Sequence, residues 1–156
     1  MKLQLTLTSL SPHTTRAIAG TLGSFLDQGD VIALSGDLGA GKTTLTGGLA
    51  SALGIKEHVI SPTFNIMREY HSGRLPLFHI DAYRLEDGNA DIGLEEFIDD
   101  GGVSVIEWPQ YIFEFIPESA LFINIFILNG DARRIEFNSD NARFIDLFAL
   151  LKETFK

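Results

Sequence analysis

Gly36-Asp37-Leu38-Gly39-Ala40-Gly41-Lys42-Thr43, read directly after the apolar run Val31-Ile32-Ala33-Leu34-Ser35, decides the fold. The octet satisfies G-x-x-x-x-G-K-[ST] in full. Glycines at those spacings let a backbone wrap so closely around phosphate oxygens that successive N–H groups point inward. A helix over 42–53, stopped by Gly54, aims its positive end at the same anion. Lys42 then reaches the β- and γ-phosphates, and the Thr43 hydroxyl ligates Mg²⁺. At ordinary residue frequencies the pattern arises by chance in on the order of one chain in two hundred of this size. The strand before it and the helix after it make coincidence rarer still. The candidate nucleotide contacts are therefore Asp37, Leu38, Gly39, Ala40, Gly41, Lys42, Thr43 and Thr44.

Such a loop hydrolyses little without a carboxylate at the end of a neighbouring strand. Two apolar runs end in an acid: 75–81, which closes on Asp81, and 103–107, which closes on Glu107. Pro76 argues that the first of these strands is not fully paired at its start. Either acid alone reads equally well as a solvated strand end. Together beside a phosphate loop, one is expected to hold Mg²⁺ and the other to orient the attacking water or the metal's surroundings. The N-K-x-D element that grips guanine is missing from the sequence, which favours ATP.

Working outward, Leu3, Leu5 and Leu7 alternate with polar residues as in a half-buried strand. Ser11-Pro12 starts a helix with Ile18, Leu22, Phe25 and Leu26 on one face and Gly29 as its expected stop. Strands are predicted over 64–70 and 75–81, joined by a loop containing Ser72-Gly73, and a short acidic helix over 91–98. Segments 121–128 and 133–138 flank Asn129-Gly130-Asp131, a hairpin signal. An amphipathic helix over 142–155 presents Phe144, Leu147, Phe148 and Leu151. Strands alternating with helices predict one α/β domain spanning 1–156. Its sheet is of the P-loop NTPase kind, mostly parallel around the glycine-rich loop, with some antiparallel hairpins and flanking helices.

The chain has 156 residues, 45% of them apolar, which is ample for one core and argues against disorder. With no cysteine, disulfides, thiolate metal sites and Cys nucleophiles are excluded. No signal-peptide core and no membrane-spanning run is evident, so a cytoplasmic location is expected. The net charge is −9, and no Lys or Arg occurs from 85 to 132. That balance argues against a chain that holds nucleic acid on its own, since phosphate contacts need clustered cations.

Other residues carry weaker signals. Pro62 pushes Ser61 into an extended conformation, and Thr63 then offers its hydroxyl to the γ-phosphate side; the plain alternative is a loop turning into a strand. In His79-Ile80-Asp81-Ala82-Tyr83-Arg84, alternation puts His79, Asp81 and Tyr83 on one side of an extended chain. Taken alone, His79 reads as a core histidine. Arg84 either neutralises phosphate or pairs with the seven acids of 86–100, themselves a solvated face or a docking surface for a basic partner. Trp108, the one tryptophan, follows Glu107 and is placed either in the core or as a wall of the site.

Taken in order, GDLGAGKTT at 36–44, SPTF at 61–64, HxDxYR at 79–84 and EWP at 107–109 resemble the TsaE (YjeE) family of small bacterial P-loop ATPases. Ala82, where many members carry Leu, is a small departure. The resemblance implies an accessory ATPase in making threonylcarbamoyladenosine at the tRNA adenosine beside the anticodon. It also implies docking on a TsaD–TsaB complex, so that tRNA is met only through partners. On the matching positions it makes Lys42 the phosphate lysine, Thr43 and Glu107 the Mg²⁺ ligands and Asp81 the Walker-B-like acid. Thr63 falls in a switch-like loop, and Arg133, in Asp131-Ala132-Arg133, near the nucleotide. Hydrolysis is expected to be weak alone and to rise with partners. Two rival readings stand beside this: a small-molecule P-loop kinase, for which no Arg-rich lid is evident, and a non-catalytic nucleotide switch.

Overall fold

A computed structural model describes residues 2–62, 66–85, 96 and 100–155. The helix expected over 91–98 lies outside the described residues apart from Glu96, and so does Thr63. The elements in chain order are β1 (Leu3–Ser9), α1 (Pro12–Phe25), β2 (Val31–Gly36), α2 (Lys42–Ala52), β3 (Met67–Tyr70) and β4 (Leu77–Asp81). They continue with β5 (Val103–Glu107), a 3-10 segment at Pro109–Phe115, β6 (Leu121–Ile127), β7 (Arg133–Ser139) and α3 (Ile145–Thr154).

All seven strands form one sheet in the order β1-β7-β6-β2-β5-β4-β3. The centre is parallel, β2 lying between β5 and β6 with β4 beyond β5, while β1–β7, β6–β7 and β3–β4 pair antiparallel. The hairpin expected at Asn129-Gly130-Asp131 forms between β6 and β7, with Gly130 at φ +53° and the Ala132 N–H on the Asn129 carbonyl at 2.8 Å. Pro76 stands just before β4, its carbonyl accepting from the Val103 N–H at 2.8 Å.

β2 is apolar throughout because both of its faces are covered. Ile32 and Leu34 enter the core beneath α1, α2 and α3, and Val31 and Ala33 enter a second core under the Pro109–Phe115 segment. Among the described residues no helix is long and apolar enough to cross a membrane.

α1 starts as its sequence dictates, the Ser11 side chain accepting from the Thr14 N–H. It ends at Phe25 rather than running on to Gly29. Cations brought from far along the chain cap its carbonyls: Arg74 donates to Gly23 and Leu26 at 2.9 Å each, and Arg143 donates to Phe25 at 3.2 Å while pairing with Asp30 at 2.8 Å. The closing amphipathic helix is split, a 3-10 turn at Ala142–Phe144 preceding α3, and the expected face of Phe144, Leu147, Phe148 and Leu151 is buried.

α1 and α2 cross where a glycine of each helix meets backbone and an alanine of the other. A Cβ on Gly48 would meet the Arg16 carbonyl oxygen at 2.8 Å, and one on Gly23 would meet the Leu49 carbonyl oxygen at 2.8 Å. A Cβ on Gly47, one position along α2, meets nothing within 4 Å. Both alanine substitutions in α2 gain the same helix propensity, about 1 kcal/mol. Only Gly48→Ala must push α1 away, which costs about 1–3 kcal/mol. Urea denaturation should therefore find Gly47→Ala more stable than the parent chain and Gly48→Ala less stable than Gly47→Ala.

Candidate functional site

The loop leaving β2 turns through two left-handed glycines, Gly39 at φ +82° and Gly41 at φ +110°. A side chain is strained at those angles. A Cβ on either glycine would also stand in open space with nothing within 4 Å, so the backbone there forms an open cradle. Gly41 is the N-cap of α2, and no side chain caps the helix. The first amides of α2 are thus directed at the cradle without an intrahelical partner. Lys42 opens the helix with its side chain nearly buried, and its carbonyl accepts from the Thr46 hydroxyl at 2.9 Å.

The two acids predicted at strand ends stand side by side, because β4 and β5 pair with Asp81 opposite Glu107. β5 also pairs with β2, Leu34 opposite Glu107, which sets that carboxylate two residues below the start of the loop. Lys42 Nζ lies 3.7 Å from Glu107 Oε1. Asp81 Oδ1 accepts from the Tyr83 N–H at 3.0 Å, holding its carboxylate at the strand terminus. Leu38, Gly39, Gly41, Lys42, Thr43, Thr44, Ser61, Asp81, Glu107 and Trp108 line a single cavity of about 410 Å³. The lysine and threonine expected at the phosphates and Mg²⁺ therefore line one cavity with both candidate carboxylates. The donor set suits Mg²⁺ as well as phosphate, since a hydroxyl and one or two carboxylates complete a site whose other ligands are phosphate oxygens and water.

Trp108 is a wall of this cavity and also packs, partly buried, against the second core. It is the one non-glycine among the described residues with positive φ, at +56°. Its ring is wedged against Tyr83 and Tyr111, with centroids 5.1 and 6.3 Å away, and Lys42 Nζ sits 4.4 Å from its centroid. Tyr111 is a local partner, three residues on in the 3-10 segment that Trp108 caps, whereas Tyr83 comes from a segment 25 residues earlier that only the sheet register brings alongside.

Arg133 acts on the loop from β7. Its guanidinium donates to the carbonyls of Ala40 at 2.7 Å and Gly39 at 3.2 Å, and to those of Gly130 and Ala132 at 2.7 and 2.9 Å. Two of the loop's carbonyls are thus held from outside it, while the Ala40 N–H closes a turn on the Asp37 carbonyl at 2.9 Å. Arg133 also borders a smaller cavity with Pro12, Thr15, Gly39, Ala40, Gly41, Thr44 and Asp131. Asp37 flanks the loop on the opposite side, in a third cavity with Ser35, Gly36, Trp108 and Asn124. Thr63 and the side chain of Arg84 lie outside what is described. His79, which taken alone reads as a core histidine, is indeed buried, but its ring also reaches Glu107 beneath the cavity. The signal was its alternation with Asp81, which puts both on the face where β5 delivers Glu107.

The TsaE family model, described as threonylcarbamoyl adenosine biosynthesis protein TsaE, matches residues 9–135. A Bacillus subtilis protein named tRNA threonylcarbamoyladenosine biosynthesis protein TsaE is 45% identical over 90% of this chain and 89% of its own length. A Nostoc protein of the same name is 42% identical over 82% of each chain. The crystal structure of Bacillus subtilis YdiB superimposes with a TM-score of 0.85 at 39% identity, over 100% of this chain and 99% of that one. The loop of left-handed glycines, its lysine and two strand-end carboxylates thus stand in a chain that matches the family model over most of its length and its named relatives in sequence, and this protein belongs to the TsaE family.

Proposed function

We propose that this chain binds ATP with Mg²⁺ and hydrolyses it to ADP and phosphate in the biosynthesis of tRNA threonylcarbamoyladenosine. The observation that carries this reading is the meeting of Lys42, Thr43, Asp81 and Glu107 on one cavity beside two left-handed glycines. The loop amides from Asp37 to Thr44 hold phosphate oxygens, and Lys42 supplies the mobile positive charge at the β- and γ-phosphates. Thr43 and Glu107 hold Mg²⁺, which when bound neutralises charge on the phosphates. Asp81 orients the attacking water, and Thr63 joins from the γ-phosphate side. Arg133 meets the nucleotide from the far side of the loop.

Lys42 is the one cation among the described residues lining this cavity, so the transition state receives little positive charge from the chain itself. Hydrolysis is therefore slow alone and rises when partner proteins dock. A net charge of −9 repels an RNA backbone, so TsaD and TsaB are the partners that bring tRNA. The setting is the cytoplasm, where those proteins meet tRNA.

Calorimetry with ATP and Mg²⁺ should show binding that Lys42→Ala weakens by about 10- to 100-fold, the worth of a charge-assisted contact to phosphate. Incubation with labelled ATP and a metabolite panel should release free phosphate; a phosphorylated metabolite would identify a kinase instead. Glu107→Ala should bind ATP yet fail to support tRNA modification, and full support by that variant would point to a non-catalytic switch.

The reading also makes the shape of the loop a determinant of affinity. Arg133→Ala removes the donors that hold the Gly39 and Ala40 carbonyls, which should lower stability to urea by about 1.5–3 kcal/mol. ATP affinity should fall about tenfold, because the cradle must then be ordered on binding. Arg133→Lys should recover only part of both, since an ammonium cannot span the set of carbonyls that the guanidinium fork spans.

A further inference from the structure

Glu107 is held by a second donor, from the side opposite the cavity. In β4, Leu77, His79 and Asp81 alternate onto the face that carries Val103, Val105 and Glu107 of β5. His79 stands opposite Val105, which makes it the diagonal neighbour of Glu107. Its ring is fully buried, and Nε2 lies 2.5 Å from Glu107 Oε2. The other oxygen, Oε1, is the one facing Lys42. A carboxylate accepts hydrogen bonds and donates none, so Nε2 carries the hydrogen and His79 is the donor. Nδ1 is buried and has no hydrogen-bond partner among the described residues. A histidine kept for packing alone would satisfy both nitrogens or give way to an apolar residue. This one leaves a nitrogen unpaired in the core and directs its single bond at the site's carboxylate.

We propose that His79 is the positioning residue of Glu107: by engaging Oε2 it fixes the carboxylate so that Oε1 is presented to Lys42 and to Mg²⁺. A glutamate side chain turns about three torsions, and without a donor at Oε2 this carboxylate would be free to swing either oxygen, or neither, towards the cavity. Groups that orient a ligand in this way are worth about 10- to 100-fold in metal affinity. The inference rests on the reading of Glu107 as a Mg²⁺ ligand, and its test separates the two.

Mg²⁺ is titrated calorimetrically into the full chain saturated with ADP, so that no turnover enters the measurement. Thermal unfolding of each variant checks the fold. His79→Leu should weaken Mg²⁺ by about 10- to 100-fold while leaving metal-free ADP binding at the parent value. His79→Gln, whose amide can donate to the same oxygen, should restore most of the loss. In a Glu107→Gln background His79→Leu should add nothing, because the group through which it acts is gone. If His79→Leu does not fold, His79→Asn, too short to reach Glu107, takes its place in the same cycle. Parental Mg²⁺ affinity in the shortened or apolar variant overturns the proposal, as does an equal further loss in the Glu107→Gln background. A parent chain that binds ADP but no Mg²⁺ overturns instead the assignment of Glu107 to the metal.

Discussion

A carboxylate only 4% exposed has to be matched by donors on every side, and in this protein that carboxylate is Glu107. Its two oxygens are divided between His79 below and Lys42 above. The two contacts differ in kind. His79 makes a short directional bond, whereas 3.7 Å from Lys42 is beyond hydrogen-bond range. Lys42 is held by opposite charge and by the face of Trp108, neither of which fixes a direction. The lysine can therefore turn towards an incoming phosphate without breaking a directional bond, while the carboxylate stays anchored. Rigidity on the acid and latitude on the base are what a site needs if its ligand brings both a metal and several anionic oxygens.

That division depends on the parallel centre of the sheet. β2, β4 and β5 run the same way, so their carboxyl ends open together and deliver the loop, Asp81 and Glu107 to one edge. The loop is then restrained from the other half of the sheet, where the antiparallel pair β6–β7 brings Arg133 onto the carbonyls of Gly39 and Ala40. Parallel strands supply the chemistry, and the antiparallel hairpin supplies the clamp. Neither half makes the cradle alone, because glycines that can take left-handed angles can take many others as well.

How much of this was legible in the sequence follows from how far apart the interacting residues lie. The loop was readable because its chemistry is local: glycines, lysine and threonine within eight positions, between an apolar strand and a helix. Asp81 and Glu107 were readable as acids ending apolar runs, although their pairing required the register. The Ser11 N-cap and the Asn129-Gly130 turn were readable for the same local reason. Interactions spanning long stretches were not. His79 and Glu107 are 28 residues apart, Arg133 and Ala40 are 93 apart, and Arg143 reaches Phe25 across 118. The last of these also bears on why Gly29 misled as the end of α1: Gly29 serves a separate local turn built by Asp27 and Asp30, while cations supplied by tertiary structure take the helix's last carbonyls a turn earlier.

The overall charge raises a question of scale, since a chain at −9 is read here as binding a polyanion. Charges separated by more than about 8 Å are largely screened at physiological ionic strength. The acids scattered over the surface therefore set the long-range field but contribute little inside a cavity of about 410 Å³ walled by Trp108 and the loop backbone. There, the nearest groups decide: the amides at the start of α2, the ammonium of Lys42 and, on the other side of the balance, Glu107. A compact triphosphate fits wholly within that range and feels the local donors. An RNA backbone does not, because it must lie along many Debye lengths of surface, and the 48 residues from 85 to 132 supply no cation to that surface. The proposed nucleotide site thus asks only for local donors, whereas a nucleic acid would need cations spread over a surface that is acidic overall.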